Sequence, residues 1–157
     1  MNGILLEVRN LTVRYPIWGG ILRHKVNEVR AVDNVSFTLR KGETLGLVGE
    51  SGCGKTTVAK AICHLLRATV PGVVIEGQIL FHTEQGTVDL MELGRRDMRG
   101  YRAEIQMIFQ DPFSSLNPRM TVREIVEEPL KIHGIDGSVD EVLKRVKLEP
   151  TGQIAAK

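Results

Sequence analysis

Apolar and polar positions alternate over two stretches near the start of the chain. From Leu6 to Arg14 the apolar positions are Leu6 and Val8 and then, after a change of phase at Asn10, Leu11 and Val13. From Ala31 to Leu39 they are Val35, Phe37 and Leu39. A period of two predicts a strand in each. The segment between, Pro16 to Val29, carries Trp18, Gly19, Gly20 and the basic trio Arg23, His24 and Lys25 without a clear period, and reads as a loop or irregular hairpin. After the turn signal Lys41-Gly42, the run Leu45-Gly46-Leu47-Val48 is apolar on both faces, which predicts a buried parallel strand. Val58, Ala61, Ile62, Leu65 and Leu66 then recur on one helical face.

Beyond the turn at Pro71-Gly72, Val73 to Phe81 and Thr87 to Leu90 predict a hairpin around Glu84, Gln85 and Gly86. Arg95, Arg96, Arg99 and Arg102, interrupted by Asp97 and followed by Glu104, read as a solvated helical face. Ile105 to Phe109 predicts a short strand that Pro112 stops, leaving Gln110 where a strand gives way to a loop. Thr121-Val122-Arg123-Glu124 and Ser138-Val139-Asp140-Glu141 are capping-box sequences, each opening a helical stretch, with Pro129 expected to end or kink the first.

At 157 residues and 42% hydrophobic content the chain can build the core of one domain. A formal net charge of +2 gives no overall basic field, so a nucleic-acid partner is not expected. Cys53 and Cys63 have no second Cys or His pair at metal-ligand spacing, and reduced thiols are the simplest reading. Nowhere do about 18 consecutive apolar residues occur, so membrane association is expected only through a partner.

The chemistry is concentrated between the apolar run and the helical pattern. Gly49-Glu50-Ser51-Gly52-Cys53-Gly54-Lys55-Thr56 matches G-x-x-x-x-G-K-[ST] in full, in the strand, loop and helix context that the motif requires. Glycines at 49, 52 and 54 let the backbone turn its N–H groups inward, where they and the helix N-terminus favour phosphate charge. Lys55 is expected to reach the β and γ phosphates, and the Thr56 hydroxyl to ligate Mg²⁺. A chance glycine-rich turn would not bring all three parts together in this order. Cys53 reads first as a solvent-facing loop thiol, with a helix N-terminus and a lysine nearby as reasons for reactivity. Cys63 reads as a small buried hydrophobe.

Phe109-Gln110-Asp111-Pro112-Phe113-Ser114-Ser115-Leu116-Asn117-Pro118-Arg119-Met120-Thr121 closely resembles the Q-loop region of ABC transporter ATP-binding subunits, above all those of oligopeptide and dipeptide importers. Ala31-Val32-Asp33-Asn34-Val35-Ser36-Phe37 resembles the strand that precedes the P-loop in that family, and the likeness extends from Leu5 to about Leu148. The resemblance implies an α/β fold of the P-loop NTPase type. It would comprise an N-terminal antiparallel β subdomain and P-loop core over 1–110, with the Q-loop and the start of the helical subdomain over 111–157. It further implies that Tyr15 stacks on adenine and that Gly49, Glu50, Ser51, Gly52, Cys53, Gly54, Lys55, Thr56 and Thr57 hold ATP. Thr56 and Gln110 would meet Mg²⁺, and Gln110 with Lys55 would act on the reacting phosphate and water. The partners implied are transmembrane permease subunits, a homologous ATP-binding subunit and, indirectly, an extracytoplasmic solute-binding protein. The implied location is cytoplasmic, peripheral on the inner face of the plasma membrane.

A signature loop of the L-S-G-G-Q type, an apolar strand ending in Asp-Glu and a switch histidine, all found in that family, do not occur in these residues. His133 is too early to be the switch, and the residues from Pro150 onward no longer resemble the family. The chain therefore reads as the N-terminal part of an ABC ATPase, expected to bind ATP without hydrolysing it alone. Two other readings stay open: a small P-loop kinase or phosphotransferase with Arg95 to Arg102 as its lid, for which no acidic base is evident, and a non-catalytic interaction fragment.

Overall fold

The structure is a computed structural model, and it describes residues 3–20, 24–111 and 116–148. It forms two compact units, Met1–Met107 and Ile108–Lys157.

The first unit is built on one antiparallel sheet. Its strands are β1 (Ile4–Gly19), β2 (His24–Arg40), β3 (Val74–Thr83) and β4 (Gly86–Asp89), in the spatial order β2-β1-β3-β4. β1 is central, pairing Val8 with Phe37 and Leu11 with Val35 on one side, and Leu6 with Phe81 and Val8 with Ile79 on the other. Leu6, Val8, Leu11 and Val13 are buried, as the alternation requires, and they pack with Val32, Ile79, Phe81 and Leu90.

The change of phase at Asn10 is a bulge. Both ladders of β1 shift register there, and Asn10 takes a φ of 50°. Its N–H donates to Ser36 Oγ at 2.8 Å and its side-chain amide to Asn34 Oδ1 at 2.8 Å, so the extra residue keeps its polar groups paired. On the other side, Gly77 (φ +100°) allows the bulge: a Cβ there would lie 2.5 Å from the Arg9 carbonyl oxygen.

The segment Pro16 to Val29, expected as a loop or irregular hairpin, is the hairpin, with a register shift between Ile17 and Trp18. Its arms continue the β1–β2 ladder as far as Gly19 opposite His24. Trp18 and the glycines obscured the period, but backbone pairing does not need an alternating pattern once neighbouring residues fix the register. The β3–β4 hairpin turns at Glu84 and Gln85, where Thr83 Oγ donates to the Gly86 carbonyl at 3.0 Å.

Two expected strands are absent. Leu45 to Val48 makes no ladder, and Val48 is 97% exposed. Ile105 to Phe109 likewise makes none, with Ile108 at 92% exposure, although Ile105 packs against the core. An apolar run states that a strand wants burial, but a strand also needs neighbours for its N–H and C=O groups. Among the described residues β1 to β4 pair only with one another and offer these runs no partner.

The expected single helix is two: α1 (Lys55–Ile62) and α2 (Leu66–Thr69), separated by a turn in which His64 takes a φ of 56°. Val58, Ala61 and Leu66 still face the core. The arginine stretch is helical only over α3 (Met98–Tyr101), whose Met98 is fully buried while Arg95, Arg96, Arg99 and Arg102 are exposed.

In the second unit, α4 (Val122–His133) opens with a complete capping box. Thr121 accepts from the Glu124 N–H, and the Glu124 carboxylate accepts from the Thr121 N–H at 2.7 Å. These bonds hold the Glu124 carboxyl below its ordinary pKa. Pro129 does not end the helix, which runs on to Gly134 as a left-handed C-cap. α5 (Val139–Arg145) begins at Ser138, which accepts from the Glu141 N–H, and buries Val139 and Leu143.

Candidate functional site: the loop before the first long helix

The loop from Gly49 to Gly54 delivers the chain into α1 through a left-handed turn. Gly54 is the N-cap, with φ 95°. A Cβ at this position would lie 2.3 Å from the carbonyl oxygen of Ala31 on β2, so glycine is required both by the dihedral and by the approach of the strand. The motif names Gly54, but nothing in it points to Ala31 as the neighbour.

No side chain caps α1, and its first turn holds no acidic residue. The N–H groups of that turn have no intrahelical acceptors, so they present partial positive charge at the end of the loop. Lys55 adds a full charge. Its Nζ donates to the carbonyl oxygens of Gly49 at 2.8 Å and Glu50 at 2.7 Å, and it lies 3.4 Å from Cys53 Sγ. The ammonium is thus folded over the loop, where the mouth of the glycine turn and the helix N-terminus meet. An anion there finds both sources of positive charge in one place.

Thr56 is exposed on the first turn of α1, which suits its hydroxyl to a metal ion shared with a phosphate. Thr57, on the same turn, has another role: Tyr15 Oη donates to Thr57 Oγ at 3.3 Å. That bond brings the half-buried Tyr15 ring, opposite Val29 on the sheet, beside the start of α1. Tyr15, the loop glycines, Lys55, Thr56 and Thr57 are therefore gathered in one unit by β1, β2 and α1.

Gln110 is exposed and belongs to the second unit, and no strand precedes it. Its expected neighbours Pro112 to Ser115 lie outside the described residues. Cys53 is exposed, as expected. Cys63 is half-buried, and burial pushes its thiol pKa up.

Sequence comparison identifies the family. The family model described as ABC transporter matches residues 32–156. The chain is 45% identical over 154 residues to the oligopeptide transport ATP-binding protein AppF of Bacillus subtilis, an overlap that covers 94% of this chain and 44% of that protein. It is 44% identical over 131 residues to a probable peptide ABC transporter ATP-binding protein of Sinorhizobium fredii, with 83% and 34% covered. It is 42% identical over 142 residues to the glutathione import ATP-binding protein GsiA of Salmonella typhimurium, with 90% and 21% covered. The chain spans less than half the length of these relatives. A P-loop built as described, joined to a match that runs through the Q-loop region, leads to one conclusion: this chain belongs to the ABC transporter ATP-binding family.

Proposed function

We propose that the chain supplies the P-loop part of an importer ATP-binding subunit, probing ATP with Gly49 to Thr57 and passing its binding to a permease through the Gln110 region. The observation that carries this reading is the Lys55 ammonium, held over the loop carbonyls beside the uncapped N-terminus of α1. Lys55 would exchange those carbonyls for the β and γ phosphates of a bound ATP, and the loop and first-turn N–H groups would serve as further donors to phosphate. Mg²⁺, when bound, would neutralise phosphate charge, and Thr56 is the residue of this loop suited to hold it. Tyr15, fixed by Thr57, offers its ring to adenine.

Oligopeptides or dipeptides are the proposed cargo, since two of the relatives carry peptide transport in their names. The proposed partners are transmembrane permease subunits and a second ATP-binding subunit, with a solute-binding protein acting indirectly. No helix among the described residues is long and apolar enough to cross a membrane, which fits a place on the cytoplasmic face held by those partners. In this reading the β subdomain and P-loop core give way near residue 110 to the Q-loop and the start of the helical subdomain.

The 157-residue chain alone binds ATP without turning it over. Phosphoryl transfer is catalysed by positioning and charge stabilisation, and the family's signature loop and Asp-Glu strand do not occur in these residues. Phosphate release by the purified chain, measured beside Lys55→Ala, tests this. The expected result is no turnover in either; steady release that disappears in Lys55→Ala would overturn it and favour a self-sufficient phosphotransferase.

A further inference from the structure

Away from the nucleotide loop, positive charge is also gathered around one buried imidazole. His64, in the turn between α1 and α2, is only 8% exposed. Its Nε2 is fully buried and has no hydrogen-bond partner. His64, Arg67, Arg95 and Arg102 line a cavity of about 210 Å³ with Leu93 and Gly94, and no acidic side chain lines it among the described residues. All of these residues belong to the first unit.

We propose that this cavity is a binding site for a single oxyanion, a carboxylate or a tetrahedral phosphate or sulfate group, held by His64 Nε2 and the arginine guanidinium groups. Nothing in the proposal depends on how the nucleotide loop is read.

Three features support it. First, a buried polar atom without a partner is costly, and an oxyanion gives Nε2, once it carries a proton, an acceptor. Second, the guanidinium of Arg67 is already oriented: its Nη1 donates to the Met91 carbonyl at 2.9 Å, which leaves further N–H groups of the same planar fork for a ligand. Third, the volume suits one such group with its water, and is small for a nucleotide.

The charges acting on His64 are those of Arg67 and Arg102, which together with burial lower its pKa from the ordinary histidine value, burial contributing most. Arg95 lines the same cavity, and the Asp97 carboxylate lies beside Gly94. A bound anion reverses the balance, since it compensates the arginines and favours the imidazolium. Anion binding should therefore take up a proton at His64 and strengthen as pH falls.

The test is the ring C–H resonance of His64 in the full 157-residue chain, assigned by its disappearance in His64→Gln. The probes are sodium sulfate, which does not titrate in this range, and N-acetylglutamate methylamide, each compared with sodium chloride at equal ionic strength. The expected result is a saturable shift with at least one probe and a His64 titration midpoint raised by about one pH unit. Both effects should be lost in Arg95→Gln/Arg102→Gln, whose exposed positions spare the fold. A response to sulfate alone identifies a tetrahedral ligand, and a response to the glutamate derivative alone a carboxylate. An equal response to chloride, no response to either probe, or a response that survives in the double variant would overturn the proposal. Because the resonance belongs to His64, anions taken up by the P-loop do not register as success.

Discussion

Gly54→Ala separates two demands that the structure makes on one residue. Gly52 and Gly54 both lie at positive φ, +82° and +95°, but a Cβ on Gly52 meets nothing within 4 Å, whereas one on Gly54 lies 2.3 Å from the Ala31 carbonyl oxygen. For an L-residue the left-handed conformation costs roughly 1–2 kcal/mol, and this is the whole expected loss for Gly52→Ala. At Gly54 the same cost applies, and strand β2 or the start of α1 must also shift, adding about 1–3 kcal/mol as in other overpacked sites. Gly54→Ala is therefore expected to lose about 2–5 kcal/mol in urea unfolding followed by circular dichroism, with an unchanged m-value. Since either shift disturbs the junction where the loop enters α1 at Lys55, Gly54→Ala should also lose more ATP affinity than Gly52→Ala. Equal destabilisation by the two substitutions would refute the close approach of Ala31 to the loop.

Tyr15→Ala should weaken ATP binding by about 1–3 kcal/mol, the range for a base stacked on an aromatic ring, while inorganic triphosphate binds unchanged. Equal weakening of both ligands in calorimetry would mean that Tyr15 acts through its bond to Thr57 and the packing of α1. Cys53, exposed beside Lys55, should be labelled by a maleimide and protected by saturating Mg-ATP. Cys63, half-buried with a raised pKa and so little thiolate, should label slowly in the folded chain. Labelling of Cys53 at one rate with and without nucleotide would place that thiol outside the site.

The local parts of the molecule were legible in the sequence because local physics settles them. Alternation in β1 and β2, the change of phase at Asn10, the turn near Gln85 and the Thr121 capping box all rest on residues close in sequence or on one repeating face. Leu45 to Val48 and Ile105 to Phe109 were misread for the opposite reason. Their apolar content is real, but strand formation depends on a partner that no local pattern reveals. The P-loop was legible as a motif, and its Gly52 and Gly54 take left-handed φ values that a tight turn favours. Ala31 and the Tyr15–Thr57 bond were not legible as neighbours, because the long β1–β2 ladder that creates them depends on pairing between distant residues. His64 carried no signal at all: a single histidine in a helical pattern gives no sign that the helix breaks there and turns its ring among arginines.

The central claim is that the Lys55-bearing loop holds the phosphates of ATP, and calorimetric titration of Mg-ATP into the 157-residue chain and into Lys55→Ala tests it most directly. The account predicts saturable one-site binding to the parent and none detectable in the variant, because Lys55 supplies the charge that the loop glycines and α1 N–H groups cannot replace. Equal affinity in the two chains, with both folded by circular dichroism, would contradict it.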